Sequence, residues 1–308
     1  MSSIPGKVRI AVLGALVVAG LAIPAGSASA QTLNGIWGPF TRCPVDNSAM
    51  LATDGVSSDP ACIANSSPNG SIKLGNSTQT TGATNLQLGA TIDDATGAFS
   101  LVTPPGGAME AEPVNVQGGL LGLMCPSDIP LVSAICDGLV GSPLNAVTAV
   151  VESAGEPSNF DRAAALSQGR PIITLPVKVH LVNPILGPNC YIGSDADPIV
   201  LRPQNTTRPA LSSAIGDLDG TPNPTGALAR LTGTSTQGDS TFAVPGATGC
   251  GLLGVLNTAV NQQQGLPSPS GNNNLVLNNA ASGVISEGAQ GPITGQQFAD
   301  GWHSAVLP

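Results

Sequence analysis

The chain has 308 residues, with ten Lys and Arg against nineteen Asp and Glu, for a formal charge of −9. Only 9% of residues are charged, against about 25% in an average globular protein. So few cations exclude nucleic-acid binding, which rests on neutralising phosphates, and an anionic membrane surface would repel the chain. Val, Leu and Ile are plentiful, so the sparse charge is not the signature of disorder.

The first element is a leader. Met1 to Arg9 carries Lys7 and Arg9 without an acid, Ile10 to Ile23 is an uncharged apolar run, and Pro24 and Gly26 break it before Ala28-Ser29-Ala30. This order is that of a secretory signal peptide, with cleavage expected between Ala30 and Gln31. The apolar run is short for a bilayer span of about 20 residues, and no second run of that length follows, so no membrane span is expected. The reading divides the chain into a signal peptide at 1–30 and a single β-rich extracellular domain at 31–308. Losing Lys7 and Arg9 leaves eight basic residues against nineteen acids, or −11.

Strand-like runs dominate the chain beyond the leader. Ser71–Leu74 and Asn85–Leu88 alternate polar and apolar residues, as half-buried strands do. Phe99–Val102, Val114–Val116 and Ala146–Glu152 are further candidates. The clearest is Thr174–Val182, where Leu175, Val177, Val179 and Leu181 point one way and Lys178 and His180 the other. Ile199–Leu201 and Asn274–Leu277 complete the set. The 39 Gly and 27 Pro supply turns between short strands. Gly75–Thr84 and Gln204–Gly226 read as mobile loops. A helix is expected where Leu252, Leu253, Val255, Leu256, Ala259 and Val260 share one face, with Gly265 and Pro267 as its stop. Leu120–Leu139 holds a helical turn or two. The predicted fold is mainly β: an antiparallel sandwich or barrel-like domain with one or two short helices, stapled by disulfides.

Six cysteines, Cys43, Cys62, Cys125, Cys136, Cys190 and Cys250, lie beyond the leader. An even number in an exported chain reads as disulfides, although six cysteines allow many pairings. Sequential pairing (43–62, 125–136, 190–250) is the preferred scheme, because the first two pairs close short loops flanked by turn residues. No C-x₂₋₄-C spacing suggests a zinc site.

Catalytic signals are thin. Gly238-Asp239-Ser240 resembles the nucleophile block of GDS-type esterases, and Asp300-Gly301-Trp302-His303 their D-x-x-H pair. However, Ser240 lies late in a β-rich chain rather than after the first strand of an α/β domain. Asp195-x-Asp197 and Asp217-x-Asp219-Gly220 fit turns better than a Ca²⁺ loop, since neither continues to a distal Glu. His180 reads as a solvent-facing strand residue. Trp37 and Trp302 read as closing the fold where its ends meet, rather than as a sugar platform. Asn65, Asn69, Asn76 and Asn205 head Asn-x-Ser/Thr triplets, read as loop composition. No catalytic residue, metal ligand or cofactor is assigned.

One stretch, LPVKVHLVNPILGPNCYIGS from Leu175 to Ser194, resembles a segment shared by secreted proteins of high-GC Gram-positive bacteria (actinobacteria). The resemblance extends through Pro198–Leu201, Phe242–Gly251 and Gly265–Ser268. That family is known as uncharacterised secreted proteins, so the resemblance implies export and little about activity. It also favours a Cys190–Cys250 bridge, since both cysteines lie in shared segments. The function expected is that of a non-enzymatic structural or binding domain, secreted or associated with the cell envelope, its partner unknown. A hydrolase with an unrecognised site and a small-molecule or lipid carrier are the alternatives. A deep apolar cavity without polar catalysts would favour the carrier.

Overall fold

The computed structural model describes residues 32–307; the leader at 1–30 and its cleavage point lie outside the described residues. In chain order the first elements are α1 (Ser48–Leu51), β1 (Ser58–Ser67), β2 (Asn69–Leu74), β3 (Ser77–Thr81), β4 (Thr84–Asp93), β5 (Phe99–Val102), β6 (Met109–Ala111) and β7 (Val114–Asn115). Then come α2 (Gly119–Met124), α3 (Pro130–Leu139), β8 (Thr148–Ser153), α4 (Arg162–Ala165), β9 (Leu175–Val182), β10 (Tyr191–Ile192) and β11 (Ile199–Leu201). The last are β12 (Gln204–Asn205), β13 (Ala210–Gly216), β14 (Leu228–Asp239), β15 (Ala247–Thr248), α5 (Asn257–Gln264), β16 (Asn274–Glu287) and α6 (Gly295–Ser304).

Ten strands form one sheet along the order β12-β14-β16-β1-β4-β5, with β13 on β14, β2 and then β3 on β16, and β6 on β4. Six form a second sheet, β15-β10-β9-β8-β7, with β11 on β9. The strand pairs of both sheets run antiparallel. This is the mainly β, sandwich-like fold that the alternation pattern predicts. The helices outnumber the one or two expected: six short α-helices, of four to ten residues, are present among the described residues.

Period-2 alternation sorts the core. From β1, Ala61 and Ile63 join Leu86, Leu88 and Ala90 of β4 against Leu175, Val177, Val179 and Leu181 of β9. The opposite face of the large sheet, with Cys62, Ala64, Leu228 and Ile285, is covered by Leu33, Trp37, Phe40 and Met50 and by Phe298 and Trp302 of α6. The large sheet is therefore buried on both sides. Trp37 meets Phe298 edge-on at 4.8 Å, and Trp302 donates from Nε1 to Phe40 O at 2.9 Å. The two tryptophans do close the fold where the described ends meet, each through a neighbour rather than through direct ring stacking.

Two segments read as mobile loops are strands. Ser77–Thr81 is β3, paired with β2, and Ala210–Gly216 is β13, paired with β14. β3 is all Ser, Thr and Gln, and β13 (ALSSAIG) lacks regular apolar alternation and is exposed over its first four residues, so hydrogen bonding to a neighbour holds them and burial contributes less. The helix expected from Leu252 begins only at Asn257. Gly251 and Gly254 take φ of 73° and 77°, a left-handed geometry that breaks helical propagation. Leu252 and Leu253 consequently sit on a tight turn, 83% and 95% exposed.

Cys43 pairs with Cys62, Cys125 with Cys136, and Cys190 with Cys250. The first bridge fastens the covering N-terminal segment to β1, the second joins α2 to α3, and the third links the entry of β10 to the turn after β15. No free cysteine remains among the described residues.

Candidate functional site

Where the two sheets face each other near β3 and β7, their inner faces stand apart and leave a slot. Ile72 and Leu74 of β2 and Ser77, Gln79 and Thr81 of β3 form one wall. Val114 and Val116, Ala149 and Val151 of β8, Val179 and Leu181 of β9, and Ile192 of β10 form the other. Leu123 of α2 and Gln264 of α5 close one end. The open volume of the slot is about 70 Å³, small rather than roomy. A second gap, beside Ile63, Phe160 and Ile173, admits only about 20 Å³ by the same measure.

The frame of the slot is fixed by polar contacts outside its apolar lining. Asn76 N–H, at the β2–β3 turn, donates to Gln264 O at 2.8 Å, and Gly75 N–H donates to Asn273 Oδ1 at 2.9 Å. Gly75 has φ 58°, and a Cβ there would lie 2.1 Å from Gln264 O, so only glycine allows this close seating of turn on helix. Gln264 itself donates from Nε2 to the carbonyls of Gly122 and Leu123, binding α5 to α2. Across the side where both sheets end, Gln117 N–H donates to Gln79 Oε1 at 3.1 Å. That bond ties the edge strand β3 to the segment after the edge strand β7.

No lining residue is ionisable. The polar groups are confined to β3 and Gln264. Gln79 is engaged at both ends, since its Nε2 also donates to Ser77 Oγ at 2.9 Å. Thr81 Oγ1 is different: it is buried and has no hydrogen-bond partner. Sequence reasoning missed this wall, because Ser-Thr-Gln-Thr-Thr is polar throughout and carries no apolar alternation.

The titratable side chains of β8, β9 and β10 gather on the opposite, outer face of the second sheet. His180 Nδ1 lies 3.3 Å from Glu152 Oε1, and its ring stacks on Tyr191 at 4.4 Å. Lys178 pairs with Asp195 at 2.8 Å and sits over the Tyr191 ring at 5.2 Å. The hydrogen bond to Asp195 raises the Lys178 pKa, while burial and then the charge of Glu152 raise that of Tyr191. These groups neutralise one another on a sheet surface, and no hydroxyl or thiol nucleophile is paired with His180. His180 is therefore the strand residue expected from its alternation, although it is mostly covered rather than fully solvated.

The esterase-like residues do not assemble. His303 Nε2 pairs with Asp46 Oδ1 at 2.8 Å, and Asp300 accepts from Gln296 Nε2 at 2.9 Å. The D-x-x-H residues thus make separate bonds on α6. Ser240, exposed after β14, has no hydrogen bond to either. The Asp pairs serve turns, as anticipated: Asp219 Oδ1 accepts Thr221 N–H and Asp217 Oδ1 accepts Asn223 Nδ2. Asp195 is the exception, being the partner of Lys178. No cluster of His, Cys, Asp and Glu among the described residues is arranged to hold a metal ion. No described helix is long and apolar enough to cross a membrane. Compared with known proteins, the chain matches no family model, no curated protein and no solved structure.

Proposed function

We propose that the chain is an exported, non-enzymatic binding protein, acting outside the cell or in its envelope, that holds a slender apolar ligand in the slot between its sheets. The observation that carries this reading is the slot itself: about 70 Å³ of open volume, walled largely by aliphatic side chains and free of ionisable groups. Ligand sites are concave, mostly apolar and provided with a few placed polar groups, and this one has that composition. Export is supported by the leader at 1–30 and by three disulfides, which persist in oxidising compartments. A hydrolase is disfavoured because its candidate residues are dispersed.

The test is binding of an environment-sensitive apolar fluorophore and its displacement by alkyl-chain compounds. Ala149→Phe, which fills the slot from β8, should lower affinity at least about tenfold with the circular-dichroism spectrum unchanged. A bound probe that Ala149→Phe leaves undisturbed would place binding elsewhere and sink the proposal. Mass spectrometry of the exported protein should find Gln31 at its N-terminus; an intact Met1 would contradict the export half.

A further inference from the structure

We infer that the slot takes an uncharged linear chain ending in a hydrogen-bonding group, in chemistry a long-chain alcohol, ester or acylglycerol, with that group seated at Thr81. This rests on the slot being the binding site and adds which compounds it accepts. Thr81 is the one β3 side chain facing the slot whose polar atom is both buried and unpartnered. Gln79 and Ser77 are already joined to each other, and Gln79 also accepts from Gln117. A buried hydroxyl without a partner has lost its water and gained nothing in exchange, so a ligand oxygen reaching it recovers that loss. With only about 70 Å³ open to it, the slot has room for a slender chain and not for a bulky ring system.

Charge at the Thr81 end then selects the head group. No Lys, Arg or His lines the slot. One residue beyond Thr81, a Cβ at Gly82 would touch Glu112 Oε2 at 2.2 Å, and that oxygen accepts Ala83 N–H at 3.0 Å. An ionised fatty acid would bring a second carboxylate to this end with no cation to receive it, besides losing its own hydration. A neutral hydroxyl or ester escapes both penalties.

The experiment compares decane, decanol, decanoate and decylamine as displacers of the apolar fluorophore, at about pH 8, on the full exported protein. Decanol should bind at least about tenfold more tightly than decanoate and more tightly than decylamine. Thr81→Val, equal in shape, should weaken decanol about fivefold and leave decane unchanged, whereas Thr81→Ser should keep the preference for decanol. Equal binding of decanol and decanoate, tighter binding of decylamine, or a Thr81→Val protein that still prefers decanol to decane would overturn the head-group assignment while leaving the slot in place. Failure of all four compounds to displace the fluorophore would instead remove the slot reading beneath it.

Discussion

Asp59, near the start of β1, is 7% exposed, and its Oδ1 has no hydrogen-bond partner. Burial, followed by the neighbouring carboxyls of Asp94 and Glu287, pushes its pKa up to about 6 from an ordinary 3.8. Between those values the folded chain holds a proton that the unfolded chain releases. This contribution to stability is fully present below about pH 4 and is lost as the pH rises through about 6. Asp59→Asn should therefore stabilise the protein at pH 7, by roughly 3 kcal/mol, and by much less at pH 4. Urea unfolding at the two pH values checks this, and an equal change at both would refute it. Nothing in the sequence marks Asp59 as special, since its environment is made by β4 and β16. The cysteines stand at the other extreme: their even number and the short loops closed by 43–62 and 125–136 favoured the pairing found.

At the scale of elements, β9 was legible because its two faces meet different surroundings: Val177 and Val179 face the core and Lys178 and His180 the outer surface. The strands β1 and β14 were not. β1 is buried on both faces from Asp59 to Ala64, which erases the alternation that marks a strand. In β14, glycine and small polar residues such as Gly233, Ser235 and Gly238 weaken the signal. The slot escaped the sequence for the same kind of reason, being a property of where β3 lies relative to β7 and β8. The Gln79–Gln117 bond should be what keeps β3 closed over it. Gln79→Ala is expected to speed amide exchange in Ser77–Thr81 several-fold while shifting Tm by no more than about 2 °C, because an edge strand opens locally. Unchanged exchange in β3 would show that the side chain does not hold it.

For the molecule as a whole, the bridges divide unequally. Cys190–Cys250 spans 60 residues, against 19 and 11 for the other two. Replacing both Cys190 and Cys250 by Ser should cost roughly 4 kcal/mol on the loop-entropy scale, and removing the 125–136 bridge should cost less. Thermal or urea unfolding of the two double variants orders them; a larger loss at 125–136 would contradict the scheme. The position of β16 has a different consequence. It lies between β14 and β1, pairing Cys62 with Ile285, and it is the last of the described strands. A sheet built on such distant contacts forms slowly, on the order of milliseconds to seconds. β1 meets this neighbour only once residues 274–287 have been made, so the large sheet stays open while the intervening chain is elongated.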